Sequence, residues 1–151
     1  MEGTDTSRAI SHATWWGAGM VGSGLAVLVL SFRPWFALEA AQKGADLGTV
    51  LPVEQTGWGS ALGALAVLAS VLGGGMALLP SAATRGLYLW PAAIGAVLAL
   101  VRMGLPPDAT LLGESLSYTR TIWVILVAAF AVVEVVCGVL CASLRNQEHL
   151  G

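Results

Sequence analysis

Glu134 is the residue of this chain best placed to do chemistry. It interrupts the run Phe130-Ala131-Val132-Val133-Glu134-Val135-Val136, near the centre of an apolar stretch long enough to cross a bilayer. A charged side chain at that depth costs about 3 kcal/mol on insertion scales. Hydrocarbon disfavours the carboxylate, so the uncharged acid is the expected form. An uncharged carboxyl keeps one O–H donor and an acceptor oxygen. Two chemistries fit: a proton-carrying or ion-coupling group, and a hydrogen bond that joins two helices. No second acid, histidine or lysine stands at core depth to continue a relay. That weighs toward the helix-to-helix bond.

Helical periodicity puts Ala131, Glu134, Cys137, Gly138 and Cys141 on one face, opposite a face of mostly valine and leucine. Small residues with one polar group mark the side that meets neighbouring helices. At similar depth in the other apolar runs lie Ser23, Ser70 and Gly95. Either serine hydroxyl is a candidate partner for Glu134. Cys137 and Cys141, four apart on one helix, are poorly placed for a mutual disulfide. A metal site of Glu134, Cys137 and Cys141 can be drawn. The plainer reading is two small apolar residues that permit close packing.

Other ligand chemistry finds little support. His12 and His149 sit at opposite ends of the chain. A haem held by two histidines would need one of them inside a span, and no His/Cys spacing fits zinc. No nucleophile–base–acid set, phosphate loop or carboxylate pair is present. The expectations are no metal, no cofactor and no enzyme activity from this chain alone.

What must position Glu134 is a set of membrane helices. The chain has 151 residues, 56% hydrophobic and only 11% charged, with net charge −2. Soluble domains carry about 25% charged residues, so lipid must supply most of the surroundings. No basic block points to nucleic acid. Four stretches reach the roughly 20 apolar residues a span requires: about 13–32, 59–79, 87–103 and 121–143. Arg33-Pro34 stops the first and Pro80 the second. Gly104 with Pro106-Pro107 stops the third, and Arg145-Asn146-Gln147 the fourth. The first run is longer than the h-region of a cleaved signal peptide, about 7–15 residues, and reads as a retained helix. The fold class is therefore all-α, an integral membrane four-helix bundle. A polar segment 1–12 precedes the span domain 13–143, and a polar tail 144–151 follows it.

Tryptophan favours the lipid–water interface. Trp15, Trp16 and Trp90 fall on one side of the predicted map, and Trp35, Trp58 and Trp123 on the other. All six read as interface anchors. In the loop 33–58, Pro34 opens and Gly44 closes a segment that reads as a solvated connector or a short interfacial helix dipping in through Trp35, Phe36 and Leu38. Arg102, in the last turn of the third span, is expected to snorkel to the interface, with Asp108 as a possible partner. Small residues four apart let helices approach closely. Gly19, Ser23, Gly59, Gly63, Gly95 and Gly138 are the candidate packing positions. Gly73-Gly74-Gly75 is read as a looser end to span two. The Lys and Arg count is nearly balanced between the two sides. The slight excess per residue on the shorter segments places both termini in the cytoplasm.

The order of features resembles a known group. Arg33-Pro34-Trp35-Phe36 ends span one, Thr56-Gly57-Trp58 opens span two, Leu78-Leu79-Pro80 ends it, and Arg102 with Pro106-Pro107 follows span three. This resembles small four-helix integral membrane proteins of actinobacteria, the tryptophan-operon-associated type, from about Trp15 to Arg145. The resemblance implies architecture and host group, with no mechanism, and Glu134 is outside its motifs. The functional expectation is an accessory or assembly subunit of a larger membrane complex, with other membrane-protein subunits and lipid as partners. The alternatives are a small oligomeric transporter or channel using Glu134, and a membrane-bound sensor or regulator.

Overall fold

The computed structural model describes residues 3–38, 54–79, 86–111 and 114–148. The chain is mostly helical. Helix α1 spans Gly3–Leu30, α2 Ala61–Ala77, α3 Leu89–Gly104 and α4 Ile122–Glu148. Each overlaps one of the four apolar runs. α1 begins before the expected start and α4 runs past the expected end, because no proline or glycine stops the backbone where polarity changes. α2 begins where Ser60 caps it, its hydroxyl accepting from the Gly63 N–H at 3.1 Å. It then runs unbroken through Gly73-Gly74-Gly75 to Ala77, so these glycines do not loosen it.

The helices form a ring. α1 packs on α2 and α4, and α3 packs on the same two from the opposite side. Among the described residues only α4, over Ile122–Leu144, is long and apolar enough to cross a membrane unaided. α2 and α3, at 17 and 16 residues, reach about 25 Å, short of the roughly 30 Å hydrocarbon core.

The two longer connections contribute what the sequence reading lacked: four strands. β1 (Pro34–Leu38), β2 (Glu54–Thr56), β3 (Asp108–Leu111) and β4 (Glu114–Arg120) make one antiparallel sheet in the order β2-β1-β4-β3. The register pairs Phe36 with Arg120, Ala37 with Thr119 and Leu38 with Tyr118. β1 follows α1 and β4 precedes α4, so the sheet caps one end of the ring. The first residues of α1 and the last of α4 lie at the other end.

The sheet corrects the reading of the first loop. Pro34–Leu38 is a strand, not a solvated connector or an interfacial helix, and the expected helix beyond it falls outside the described residues. Trp35 is not an interface anchor. It is fully buried with Phe36, and its Nε1 donates to the Leu30 carbonyl at 3.1 Å. Gly57 lies flat on its indole, where a Cβ would overlap the ring. Pleating turns Phe36 and Leu38 onto the bundle end, and the shift of register between Pro34 and Phe36 lets the adjacent Trp35 turn inward as well. Trp15, Trp16, Trp58 and Trp90 are exposed. Trp123 is half-buried beneath Arg33, whose guanidinium stands 5.4 Å from its ring. Arg102 is likewise turned inward, 6% exposed. Its guanidinium stacks over Phe36 at 4.5 Å and donates to the Leu105 carbonyl at 3.0 Å and to Gln55 Oε1 at 3.4 Å. The sheet covers the path outward, so Arg102 neither snorkels nor pairs with Asp108.

Candidate functional site

Glu134 stands near the middle of α4, and its face is the one turned into the ring. Its side chain is fully buried, at the place where α1, α2 and α4 meet. Three positions without side chains make room for it. A Cβ on Gly73 would come within 2.9 Å of Glu134 Oε1, and one on Gly24 or Gly74 would lie 3.7 or 3.8 Å away. Any larger residue at Gly73 would displace the carboxyl. The α2–α3 seam closes the other side. There a Cβ on Gly95 would meet the Ser70 hydroxyl at 2.7 Å, and one on Gly73 would meet the Ala92 nitrogen at 3.0 Å.

Of the two serines proposed as partners, the fold brings Ser70 to Glu134, together with the backbone N–H of Gly74. Neither approach has the geometry of a hydrogen bond. Both Glu134 oxygens and the Ser70 hydroxyl are buried without a partner. Ser23 is buried too, but its hydroxyl donates to the Gly19 carbonyl one turn back at 2.8 Å. That bond within α1 commits its only donor. Three buried oxygens without a hydrogen bond at one point are unusual, because buried polar atoms are nearly always paired.

The cysteines follow the packing reading. A Cβ on Gly19 would touch Cys137 Sγ at 3.0 Å, which places Cys137 in the α1–α4 seam. Neither cysteine is in a disulfide. Among the described residues no three of His, Cys, Asp and Glu gather as metal ligands. Gly138 also packs between helices, where a Cβ would clash with Leu89 at 2.8 Å and approach Met20 at 3.2 Å. Gly59 and Gly63 do not. Gly59 is exposed, and a Cβ on Gly63 would overlap the Gly57 carbonyl of the turn before α2. Both precede or open the helix rather than lie along a helix seam.

Sequence reasoning missed Tyr88, which is buried at the start of α3 and donates its hydroxyl to the Gly138 carbonyl at 3.3 Å. It also missed Gly24, Gly73 and Gly74 as the cradle of Glu134. The signal was present: Gly24 falls one helical turn after Met20, and Gly73-Gly74 one turn after Ser70. No protein family, characterised protein or solved structure matches this chain. The site therefore rests on its own geometry.

Proposed function

We propose that this chain is a multi-pass membrane protein acting as an accessory or assembly subunit of a larger membrane complex. Supporting the membrane placement is an inverted distribution of side chains. Glu134, Ser70 and Ser23 are inside, while Leu25, Leu68, Leu72, Ile94, Val97 and Val139 are each more than half exposed. A water-soluble bundle would not leave such an apolar wall uncovered. The short helices α2 and α3 span with their flanking turns, and thinning of the bilayer absorbs a few ångströms of mismatch. Both helix termini face the cytoplasm on this reading, with the sheet on the far side.

The subunit role is supported by the cap. β2 and β3 are the outer strands of the sheet, and an outer strand offers backbone groups to a strand from another chain. Pull-down of the tagged protein in mild detergent, with mass spectrometry, tests the role. Stoichiometric partner subunits are the expected result. A pure homo-oligomer would overturn it in favour of the second reading, a small transporter or channel in which Glu134 carries a proton or cation. The observation favouring that reading is the unpartnered carboxyl, because intramembrane acids commonly mark ion pathways.

A further inference from the structure

We propose that the sheet end of α3 binds an acidic phospholipid, its phosphate gripped by Arg120 with the buried charge of Arg102 behind, and an acyl chain lying along the outer face of α3. Phe36 is the centre of the site. Across the sheet it stands between Gln55 of β2 and Arg120 of β4, and the Arg102 guanidinium stacks on its ring. Arg102 donates to the Leu105 carbonyl at 3.0 Å. Arg120 donates through Nη2 to the adjacent carbonyl, that of Gly104, at 3.1 Å. Two guanidiniums are thus gathered on consecutive carbonyls where α3 ends.

Among the described residues no carboxylate pairs with either cation, and their hydrogen bonds go to uncharged oxygens. The Arg102 Nε is buried with no hydrogen bond at all. Glu54 and Asp108 lie opposite Ala37 and Ser117, so strand alternation puts both acids on the other face of the sheet. The end of a helix offers about half a negative charge, which two cations exceed. Burial shields the Arg102 charge from screening by salt. Arg120 is exposed, and the rest of its planar fork is available to a phosphate.

An apolar track leads away from that point. Ile94, Val97, Val101 and Leu105 are exposed and follow one another along one face of α3 and its C-terminal cap. Leu105 adjoins the Gly104 carbonyl that Arg120 holds. Eleven residues separate the ends of the track, about 16 Å at the helical rise. That is about half of the roughly 30 Å hydrocarbon core, the depth of one leaflet. A free phosphate or the carboxylate of another protein would use the cations and leave the track bare. A phospholipid uses both, and a headgroup with net negative charge answers the unneutralised cations. The membrane placement is a premise of this inference, whereas the subunit role is not.

The test offers the full chain, in dodecyl maltoside micelles, equal amounts of phosphatidylglycerol and phosphatidylcholine with the same acyl chains. Native mass spectrometry counts the lipid retained. Phosphatidylglycerol should be preferred, and Arg120→Gln should lower the preference about fivefold, the worth of one basic residue at an acidic lipid surface. Arg33→Gln removes an equal charge, that of the guanidinium over Trp123, and should leave the preference unchanged. Both arginines are exposed, so both variants should keep the wild-type unfolding midpoint. Without any variant, phosphatidylglycerol should raise the wild-type midpoint more than phosphatidylcholine does. An equal rise with the two lipids, or an equal loss of preference in Arg33→Gln, overturns the proposal. Displacement of the lipid by inorganic phosphate at the same concentration overturns it in favour of a free anion. Recovery of the chain from the soluble fraction without detergent overturns the membrane placement, and this proposal with it.

Discussion

Glu134→Met is the substitution that separates adhesion from ligation at the scale of one residue. A carboxyl that bonded two helices would make its loss costly. With both oxygens unpartnered, methionine of similar length should instead raise stability by about 1–2 kcal/mol, read as a higher unfolding midpoint in detergent. A lower midpoint would restore the adhesive role. The glycines give a second contrast. Gly95→Val forces a side chain onto Ser70 and should cost about 1–3 kcal/mol. Gly17→Ala, with nothing within 4 Å of the new methyl, should be stabilising by up to about 1 kcal/mol through helix propensity alone. Thermal melts of the two variants check both signs. The inward orientation of Glu134 was legible in the sequence, because its own face is small and the opposite face is branched. Which serine it meets was not. Ser23 and Ser70 are equivalent by depth, and only the turn geometry that commits Ser23 to Gly19 tells them apart.

The helices were legible because each is built on a long apolar run, a signal that survives without tertiary information; their ends were legible only where a breaker stands. The strands were not. β1 is five residues long and β2 three, and each is stabilised by a partner more than fifteen residues away in sequence. One trace was there to find. In β4, Leu116 and Tyr118 alternate with polar residues, the period of a half-buried strand. Trp35 and Phe36 were read as lipid-seeking because nothing in the sequence shows that β4 will lie beside them and press them onto the bundle. A disulfide tests the pairing. The double variant Ala37→Cys with Thr119→Cys, whose positions are directly opposed, should oxidise to an intramolecular bridge with faster migration on a non-reducing gel. The pair Ala37→Cys with Asp108→Cys, placed on strands that are not neighbours, should not. Equal bridging in both would mean that the cap is not this sheet.

Sidedness is a property of the whole molecule. Asp108 is exposed at the start of β3 and Ser143 is exposed near the end of α4, at opposite ends of the ring. In sealed vesicles, an impermeant maleimide should reach Asp108→Cys and Ser143→Cys from opposite sides. Labelling of both from the same side would sink the membrane-spanning reading. The sheet order has a consequence for how such a protein is made. β1 leaves the ribosome early, yet one of its neighbours, β4, comes from a segment more than seventy residues later. Loop closure over that separation is slow compared with forming helices. On the proposed membrane placement, the first two helices insert while the β4 side of β1 is still unpaired. On that placement, closure of the sheet is then a late step of biogenesis. A truncation that removes β4 and α4 should leave an inserted but protease-sensitive chain, the sort of intermediate that quality control degrades or that a membrane chaperone must shield.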